Sequence, residues 1–521
     1  MSSLSDRLRL AESVLDRIGD TAEAEVRVAG GGSSLTRFAN SFIHQNVGEE
    51  GDIVSLRMAL DGRVASGTTS NIDPVRLDAF VAGTLERCRV QPVDPHWPGV
   101  ATQDPGGGPV DHYDQATADA DPTERAIRVA SFVATGPGMR AAGYCQTSDA
   151  QIVFANSAGI RHEGRYTTAV LDGIHQTDRS AGSGHAASNR LEDIDAAAVG
   201  ALAAQRAIDS ADAYDVKPGG YEVVLSPECV ATIGIFLTYY GFNGKFHNEG
   251  MSFVEHGANQ FDRAVTLVDD AADPRAVGVG FDSEGTRRRR VKLIDAGTSR
   301  GMLHDRRTAA QAGAESTGHG TAGSEVLGPV PSALFLTGGD RSVESLIAEV
   351  DRGIYVATFN YCRVLDPKSM AVTGLTRNGT FMIENGRITG AVTGMRFTQS
   401  FLAALGPGNG PRGGRRRPLG RFGVRAAHRP RPVAAAGGLA LHRRNRGVSS
   451  RWRRGRLVPV AEFADRAVAE TAWGRLQDEE IPAVLESDPG VLGGRVVTRV
   501  MVESDRAKQA QRVLADLVTG G

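Results

Sequence analysis

Cysteine is scarce in this chain, and long apolar runs are missing from it. Only four cysteines occur in 521 residues, and no two of them form a C-x-x-C pair: Cys88, Cys145, Cys229 and Cys362. A disulfide-stabilised scaffold is short and rich in cysteine, so we expect reduced thiols and a cytoplasmic protein. Because no stretch of about 18 apolar residues occurs, we expect no transmembrane helix.

The first 20 residues also lack the uninterrupted apolar core of a secretory signal. Instead, apolar residues recur there at helical spacing, with charged residues between them: Leu4, Leu8, Ala11, Leu15 and Ile18. This spacing predicts an amphipathic helix that packs on a protein core. No membrane partner is therefore expected.

Acidic residues are absent between Glu384 and Glu462, where about fifteen arginines fall between Arg412 and Arg456. Residues 410–456 show neither helical nor strand periodicity, so this stretch cannot bury a core. One hypothesis is a disordered basic linker that binds nucleic acid. The other, which we favour, is translation out of frame, since a GC-rich gene then yields Arg, Gly, Pro and Ala. Nucleic acid is accordingly not expected as a partner.

The order of the elements predicts an α+β fold. Residues 1–215 read as a mixed α/β region of helices and strands, with hairpin signals such as Asp61-Gly62. Residues 216–409 read as a β-rich domain, which disfavours a doubly wound parallel sheet. After the Arg-rich stretch 410–456, residues 457–521 have the order β-α-β-β-α of a small ferredoxin-like unit. This tail resembles a small bacterial signal-transducing domain.

The central feature is a strand, turn and helix that run from Tyr221 to Phe246. Ser226 and Pro227 suit the N-cap and the first position of a helix. Apolar residues then repeat at helical spacing, and the other side of the helix is apolar too: Val230, Ile233, Ile235, Phe236, Leu237 and Tyr240. This pattern predicts a helix that is buried on most of its circumference. Gly241 and Gly244 should end it.

Over roughly residues 4–409 the sequence resembles the TldD/PmbA (TldE) family. The resemblance rests on this unit, on RFANSFIHQNVGEEGD at residues 37–52 and on VTGLTRNGTFMIENG at residues 372–386. Metallopeptidase members of the family carry the zinc motif H-E-x-x-x-H on such a helix, before a Gly-rich turn. Alignment on that turn puts the two histidines at Ile235 and Tyr240 and the general base at Phe236. These three side chains cannot bind zinc or activate water.

The resemblance therefore implies a TldE/PmbA-like, non-catalytic subunit of a TldD/TldE-type zinc metallopeptidase. It implies no cofactor in this chain, zinc in a TldD-like catalytic partner, and a heterodimer whose chamber admits unfolded peptides. The same resemblance would place Arg300, His304, His319 and Gly320 near the peptide groove.

Two other functions remain open. An autonomous metallopeptidase could use Cys229, His247 and His256, although the two histidines lie nine positions apart across a glycine, so no single element directs both to one point. A nucleic-acid-binding protein could use the tract 410–456 or Arg287–Arg290. Those four arginines lack interleaved aromatics and lie near acids, which favours an exposed strand end. Other histidines are interpreted as structural or surface residues: His44, His162, His175 and His185.

Overall fold

The computed structural model describes residues 3–103, 110–337 and 341–408, followed by 457–463, 483–488, 497–504 and 506–515 with a few single positions between them. The chain divides into two units, Met1–Gly438 and Leu439–Gly521. The tract 410–456, which carries the linker and out-of-frame hypotheses, lies outside the described residues. None of the helices described is long and apolar enough to cross a membrane.

The first unit begins with a six-stranded antiparallel sheet in the order β3-β2-β1-β4-β5-β6. The β2–β3 turn at Asp61 and Gly62 has φ angles of 49° and 73°, as a two-residue hairpin requires, so that prediction is confirmed. The strands are β1 (Glu23–Ala39), β2 (Phe42–Leu60), β3 (Arg63–Thr69), β4 (Arg140–Asn156), β5 (Arg161–Gln176) and β6 (Ala181–Ser188).

Five helices accompany this sheet: α1 (Leu4–Ile18), α2 (Pro74–Val90), α3 (Gln115–Ala118), α4 (Pro122–Ala134) and α5 (Ala196–Asp209). The apolar stripe of α1 packs with α2 over one end of the sheet, where Val14 and Leu77 meet Val26. Over the other end, Phe132 of α4 packs on Leu171. Helices α1 and α2 at one end, and α4 and α5 at the other, cover the same face of the sheet. The opposite face is left to the β-rich region.

The β-rich region forms three small sheets, in the orders β10-β9-β8-β11, β16-β15-β12-β7 and β13-β14-β17. Its strands are β7 (Glu222–Leu225), β8 (Leu267–Asp269), β9 (Val291–Asp295), β10 (Thr298–Ser299), β11 (Leu334–Leu336), β12 (Arg352–Val356), β13 (Phe359–Asp366), β14 (Ala371–Thr376), β15 (Thr380–Glu384), β16 (Arg387–Ala391) and β17 (Arg396–Ser400). Asn385 and Gly386 form the predicted β15–β16 turn with positive φ angles.

Helices of this region are α6 (Pro227–Tyr240), α7 (Gly244–Asn248), α8 (Arg306–Ala312), α9 (Ser324–Leu327), α10 (Val343–Ala348) and α11 (Phe401–Ala404). Its core contains Ile233 and Leu237 of α6 together with Leu293 of β9 and Phe401 of α11. The region also packs on the open face of the first sheet, where Phe281 meets Phe154. The first unit is therefore a mixed α+β assembly, as predicted.

The second unit contains β18 (Leu457–Phe463), β19 (Ala483–Asp488), β20 (Val497–Glu503) and α12 (Ala507–Val513). The three strands form an antiparallel sheet in the order β18-β20-β19. Val500 and Val502 of the central strand are buried with Ala510 of α12. Most of the predicted helix between β18 and β19 lies outside the described residues, so the order β-α-β-β-α stays a prediction.

Candidate functional site

Helix α6 begins where the sequence predicts it. The side chain of Ser226, its N-cap, accepts a hydrogen bond from the Cys229 amide at 3.3 Å and donates one to the Ala357 carbonyl at 2.5 Å. Pro227 occupies the first helical position, and Tyr240 is the last helical residue before Gly241. Since β7 runs directly into this cap, the start of α6 is fixed by the sheet β16-β15-β12-β7.

Every residue of α6 after Pro227 is buried or partly buried, which agrees with the expectation of a helix buried on most of its circumference. Ile233 and Leu237 are buried, whereas Ile235, Phe236 and Tyr240 are partly exposed. Apolar side chains on both sides of a helix indicate that both sides avoid water. They do not indicate whether the same chain or another one covers them.

Aromatic rings surround the positions that the resemblance assigns to the zinc motif. The ring of Phe236 lies 6.0 Å from that of Tyr240 and 6.1 Å from that of Phe401 between centroids. The Tyr240 ring lies 5.5 Å from that of Phe246. Zinc is bound by imidazole nitrogen, thiolate or carboxylate, and Ile235 and Phe236 carry no atom of these kinds. These residues therefore do not fit a zinc ion.

The three residues of the alternative metal site do not form one. Within the described ranges, no three His, Cys, Asp or Glu side chains lie together so as to hold a metal ion. Cys229 is fully buried, and burial raises the pKa of its thiol to about 12, which disfavours the thiolate that a metal needs. His247 and His256 are exposed.

Of the four residues assigned to the groove, His304 lies against the turn that follows α6. A Cβ atom on Gly244 would lie 2.5 Å from the His304 Nδ1, so the imidazole occupies the space that a larger residue would need. Burial, together with the nearby His247 and His319, lowers the pKa of His304 to about 4. His304 is therefore a neutral imidazole at neutral pH.

His319 is fully enclosed and paired with a fully enclosed carboxylate. Its Nε2 lies 3.0 Å from Asp269 Oδ1, and its Nδ1 lies 2.9 Å from Thr317 Oγ1. Burial acts to raise the pKa of Asp269, but the charge and hydrogen bonds of His319 and Ser332 outweigh it and lower that pKa. The Ser332 amide donates to Asp269 Oδ2 at 2.7 Å. This pair fixes β8 to the loop that precedes α9.

Gly320 is buried beside a second pair of carboxylates. Its amide donates to Asp282 Oδ2 at 2.7 Å, and a Cβ on Gly320 would lie 2.8 Å from the Glu284 carboxylate. Arg300, the fourth residue, is exposed, and its amide donates to the Leu293 carbonyl at 2.9 Å. The structure thus places three of the four beneath the surface and one on it.

The sequence reasoning missed a buried ionic network that joins the first sheet to the β-rich region. Arg57 of β2 donates to Glu25 of β1 at 2.7 Å and to Glu284 at 3.1 Å. Glu284 also accepts from the Arg306 amide at 2.8 Å. Glu25 and Arg57 are register partners on adjacent strands, so the alternation of side chains could have identified that pair. No sequence signal connects either residue with Glu284.

The arginine run precedes β9 and is bonded within the chain. Arg288 donates to the Gly318 carbonyl at 3.0 Å, Arg289 pairs with Glu315 at 2.6 Å, and Arg290 pairs with Asp270 at 3.0 Å. Two of these three side chains are exposed. His162 is buried, and its Nε2 lies 3.0 Å from the Gly285 carbonyl, which agrees with its interpretation as a structural histidine.

Part of the chain is similar in sequence to known proteins. Residues 218–408 match the model of the PmbA/TldA metallopeptidase C-terminal domain. A metalloprotease of Methanocaldococcus jannaschii is 28% identical over 195 residues, which are 36% of this chain and 42% of that protein. A metalloprotease of Methanothermobacter thermautotrophicus is 24% identical over 224 residues, 41% of this chain and 48% of that protein. The chain spans less than half the length of these curated relatives.

Two solved structures have a similar fold. A protein described as a modulator of DNA gyrase from Bacteroides thetaiotaomicron has a TM-score of 0.68 at 20% identity, over 78% of this chain and 93% of that one. TldE from Thermococcus kodakarensis has a TM-score of 0.68 at 19% identity, with the same coverage. The domain match shows a PmbA/TldA metallopeptidase C-terminal domain at residues 218–408. In fold, the chain is similar to a TldE protein.

Proposed function

We propose that this chain is a TldE/PmbA-like, non-catalytic subunit of a TldD/TldE-type zinc metallopeptidase complex that acts on unfolded peptides. One observation carries the proposal. On α6, the positions assigned to the zinc ligands and the general base are held by Ile235, Tyr240 and Phe236, and rings pack around them. The similarity of fold to a TldE protein supports the same assignment.

In this proposal a TldD-like partner supplies the zinc ion, the water and the base, while this chain supplies binding surface. The partly exposed side of α6, with Ile235 and Tyr239, would contact the partner, because apolar side chains at a half-open face are stabilised by a second protein surface. Among the described strands, β16 lies at a sheet edge, and an extended peptide can add to such an edge. Exposed Arg300 would contact the peptide, with His304, His319 and Gly320 supporting the groove from beneath.

The test is reconstitution with a family member that carries H-E-x-x-x-H. We expect the isolated chain to contain no stoichiometric zinc and to leave an unfolded peptide intact. The mixture should cleave the peptide with a chelator-sensitive rate, and should lose that rate when a histidine of the partner's motif is replaced.

Two results would contradict the proposal. One is chelator-sensitive hydrolysis by the isolated chain. The other is stoichiometric zinc in the isolated chain that is lost in His247→Ala, which would favour the alternative site with Cys229 and His256. The matched control is His44→Ala, an exposed histidine on β2, which should change neither zinc content nor rate.

A further inference from the structure

A cleft of about 510 Å³ opens between the first sheet and the β-rich region. One wall comes from β3, α2 and the connection after α2, and the other comes from residues near α8 and from α9. Its volume lies within the range of small-molecule sites. The cleft is separate from α6, because no residue of α6 lines it.

The floor of the cleft is a rigid cation stacked on an indole. The Arg57 guanidinium lies 5.0 Å from the centroid of the Trp97 ring, and it forms ion pairs with the buried Glu25 and Glu284. Trp97 is itself fixed, since its Nε1 donates to Glu23 at 2.7 Å. Such a floor is pre-organised and loses little conformational entropy when a ligand binds.

Apolar side chains complete the connection side of this floor. Pro92, Val93, Pro95 and Pro98 line the cleft beside Trp97. Proline and tryptophan offer rigid apolar area to a ligand at low entropic cost. The cleft therefore suits a ligand that has a short apolar body.

Two side chains of opposite charge, one on each wall, remain accessible to a ligand: Glu325 and Arg87. On the α9 wall, the Glu325 carboxylate is half exposed and forms only a long ion pair with Arg57, at 4.0 Å and beyond hydrogen-bond distance. On the α2 wall, Arg87 is exposed and donates to Thr84 Oγ1 at 2.8 Å. Arg87 forms no ion pair with any described residue. One wall thus offers an acceptor for a cation and the other offers a donor for an anion.

We propose that this cleft binds a short zwitterionic ligand of the dipeptide class. Its ammonium group would pair with Glu325, its carboxylate would pair with Arg87, and its body would lie on Trp97 and the prolines. A ligand with a single charge would pair with either Glu325 or Arg87 and leave the other without a charged partner from the ligand. This inference concerns the isolated chain and does not depend on a zinc-bearing partner.

The experiment titrates the full chain with alanylalanine and follows tryptophan fluorescence and heat. We expect saturable binding, with a fluorescence change that is absent in Trp97→Phe. Glu325→Gln should lower the affinity for alanylalanine at least tenfold, as expected for loss of a charged hydrogen bond. The affinity for N-acetyl-alanylalanine, which has no ammonium group, should stay unchanged. Arg87→Gln should lower the affinity for alanylalanine by a similar factor. The affinity for alanylalanine amide, which has no carboxylate, should stay unchanged.

Matched controls separate these contacts from general charge effects. Glu315→Gln and Arg89→Gln remove exposed charges of the same kinds that do not line the cleft, and should leave the affinity as in the wild type. Absence of saturable binding would overturn the proposal. So would equal affinity for alanylalanine and its doubly blocked form, or equal weakening of all ligand forms by the two variants, because the ligand's charges would then not be recognised.

Discussion

The Arg57 guanidinium lies 3.1 Å from the Glu284 carboxylate, although 227 positions separate the two residues in the chain. The same guanidinium donates to Glu25 at 2.7 Å. Both carboxyl groups are buried, so a single guanidinium is the hydrogen-bond donor that they share. This contact joins the first sheet to the β-rich region and also forms the floor of the proposed cleft.

Replacing Arg57 should therefore destabilise the first unit strongly. Arg57→Met leaves two buried carboxylates without their cation, and breaking such a group by removing one partner costs about 3–5 kcal/mol. Urea unfolding measures the loss. The control is Arg89→Met, which breaks the exposed pair with Glu86 and should change stability by less than about 1 kcal/mol. Equal losses in the two variants would show that the buried contact contributes no more than a surface pair.

The contribution of Glu25 to the free energy of unfolding should fall as pH rises from about 4.5 to about 7. Burial raises the pKa of Glu25 from 4.5 to about 7, against the pull of Arg57 and with repulsion from Glu284. The folded chain therefore retains a proton that the unfolded chain releases at lower pH. This contribution to stability is complete below about 4.5 and is lost as pH approaches 7.

The variant Glu25→Gln tests this pH dependence by its slope. Gln cannot titrate, so the decline in the free energy of unfolding across this window should become shallower than in the wild type. Some decline should remain, since burial also raises the pKa of Asp282 to about 7. Urea midpoints measured at several pH values give the slope. An unchanged slope would mean that Glu25 ionises normally in the folded chain.

Local features of the fold could be predicted because their causes are local. The Ser226 cap, the Asp61-Gly62 hairpin and the stripe of α1 each depend on residues within a few positions of one another. Side-chain hydrogen bonds at caps and positive φ angles at turns leave such signals in any sequence. The family resemblance added the order of the larger regions.

The candidate site could be predicted only in part, because its contacts are distant. The pairing of His319 with Asp269 spans 50 positions, and that of Arg57 with Glu284 spans 227. Periodicity shows that Ile235 and Phe236 are apolar, but it does not show that they remain partly exposed. Burial of a particular side chain depends on which distant segment folds over it. That contact cannot be predicted from the local pattern of a single sequence.

The ring of Phe236 should stabilise the fold without any role in metal binding. Phe236→Ala removes its contacts with Tyr240 and Phe401. Because the ring is partly exposed, we expect a loss of about 2 kcal/mol, below the cost for a fully buried phenylalanine. The matched control Phe42→Ala replaces a mostly exposed ring and should cost less than about 0.5 kcal/mol. Thermal unfolding compares the two, and a change in zinc content in Phe236→Ala would contradict the proposed function.

Replacing Gly234 of α6 and Gly244 of α7 by alanine should change the free energy of unfolding in opposite directions. Gly234 lies within α6, and a Cβ there meets nothing within 4 Å, so Gly234→Ala should stabilise the chain by about 1 kcal/mol through helix propensity. A Cβ on Gly244 would lie 2.5 Å from the His304 ring and 2.8 Å from the Leu303 carbonyl. Since the carbonyl belongs to the backbone and cannot rotate away, Gly244→Ala must shift α7 and should cost about 1–3 kcal/mol. Denaturant unfolding of both variants decides the matter: if Gly244→Ala is as stable as Gly234→Ala, the imidazole does not pack against this turn.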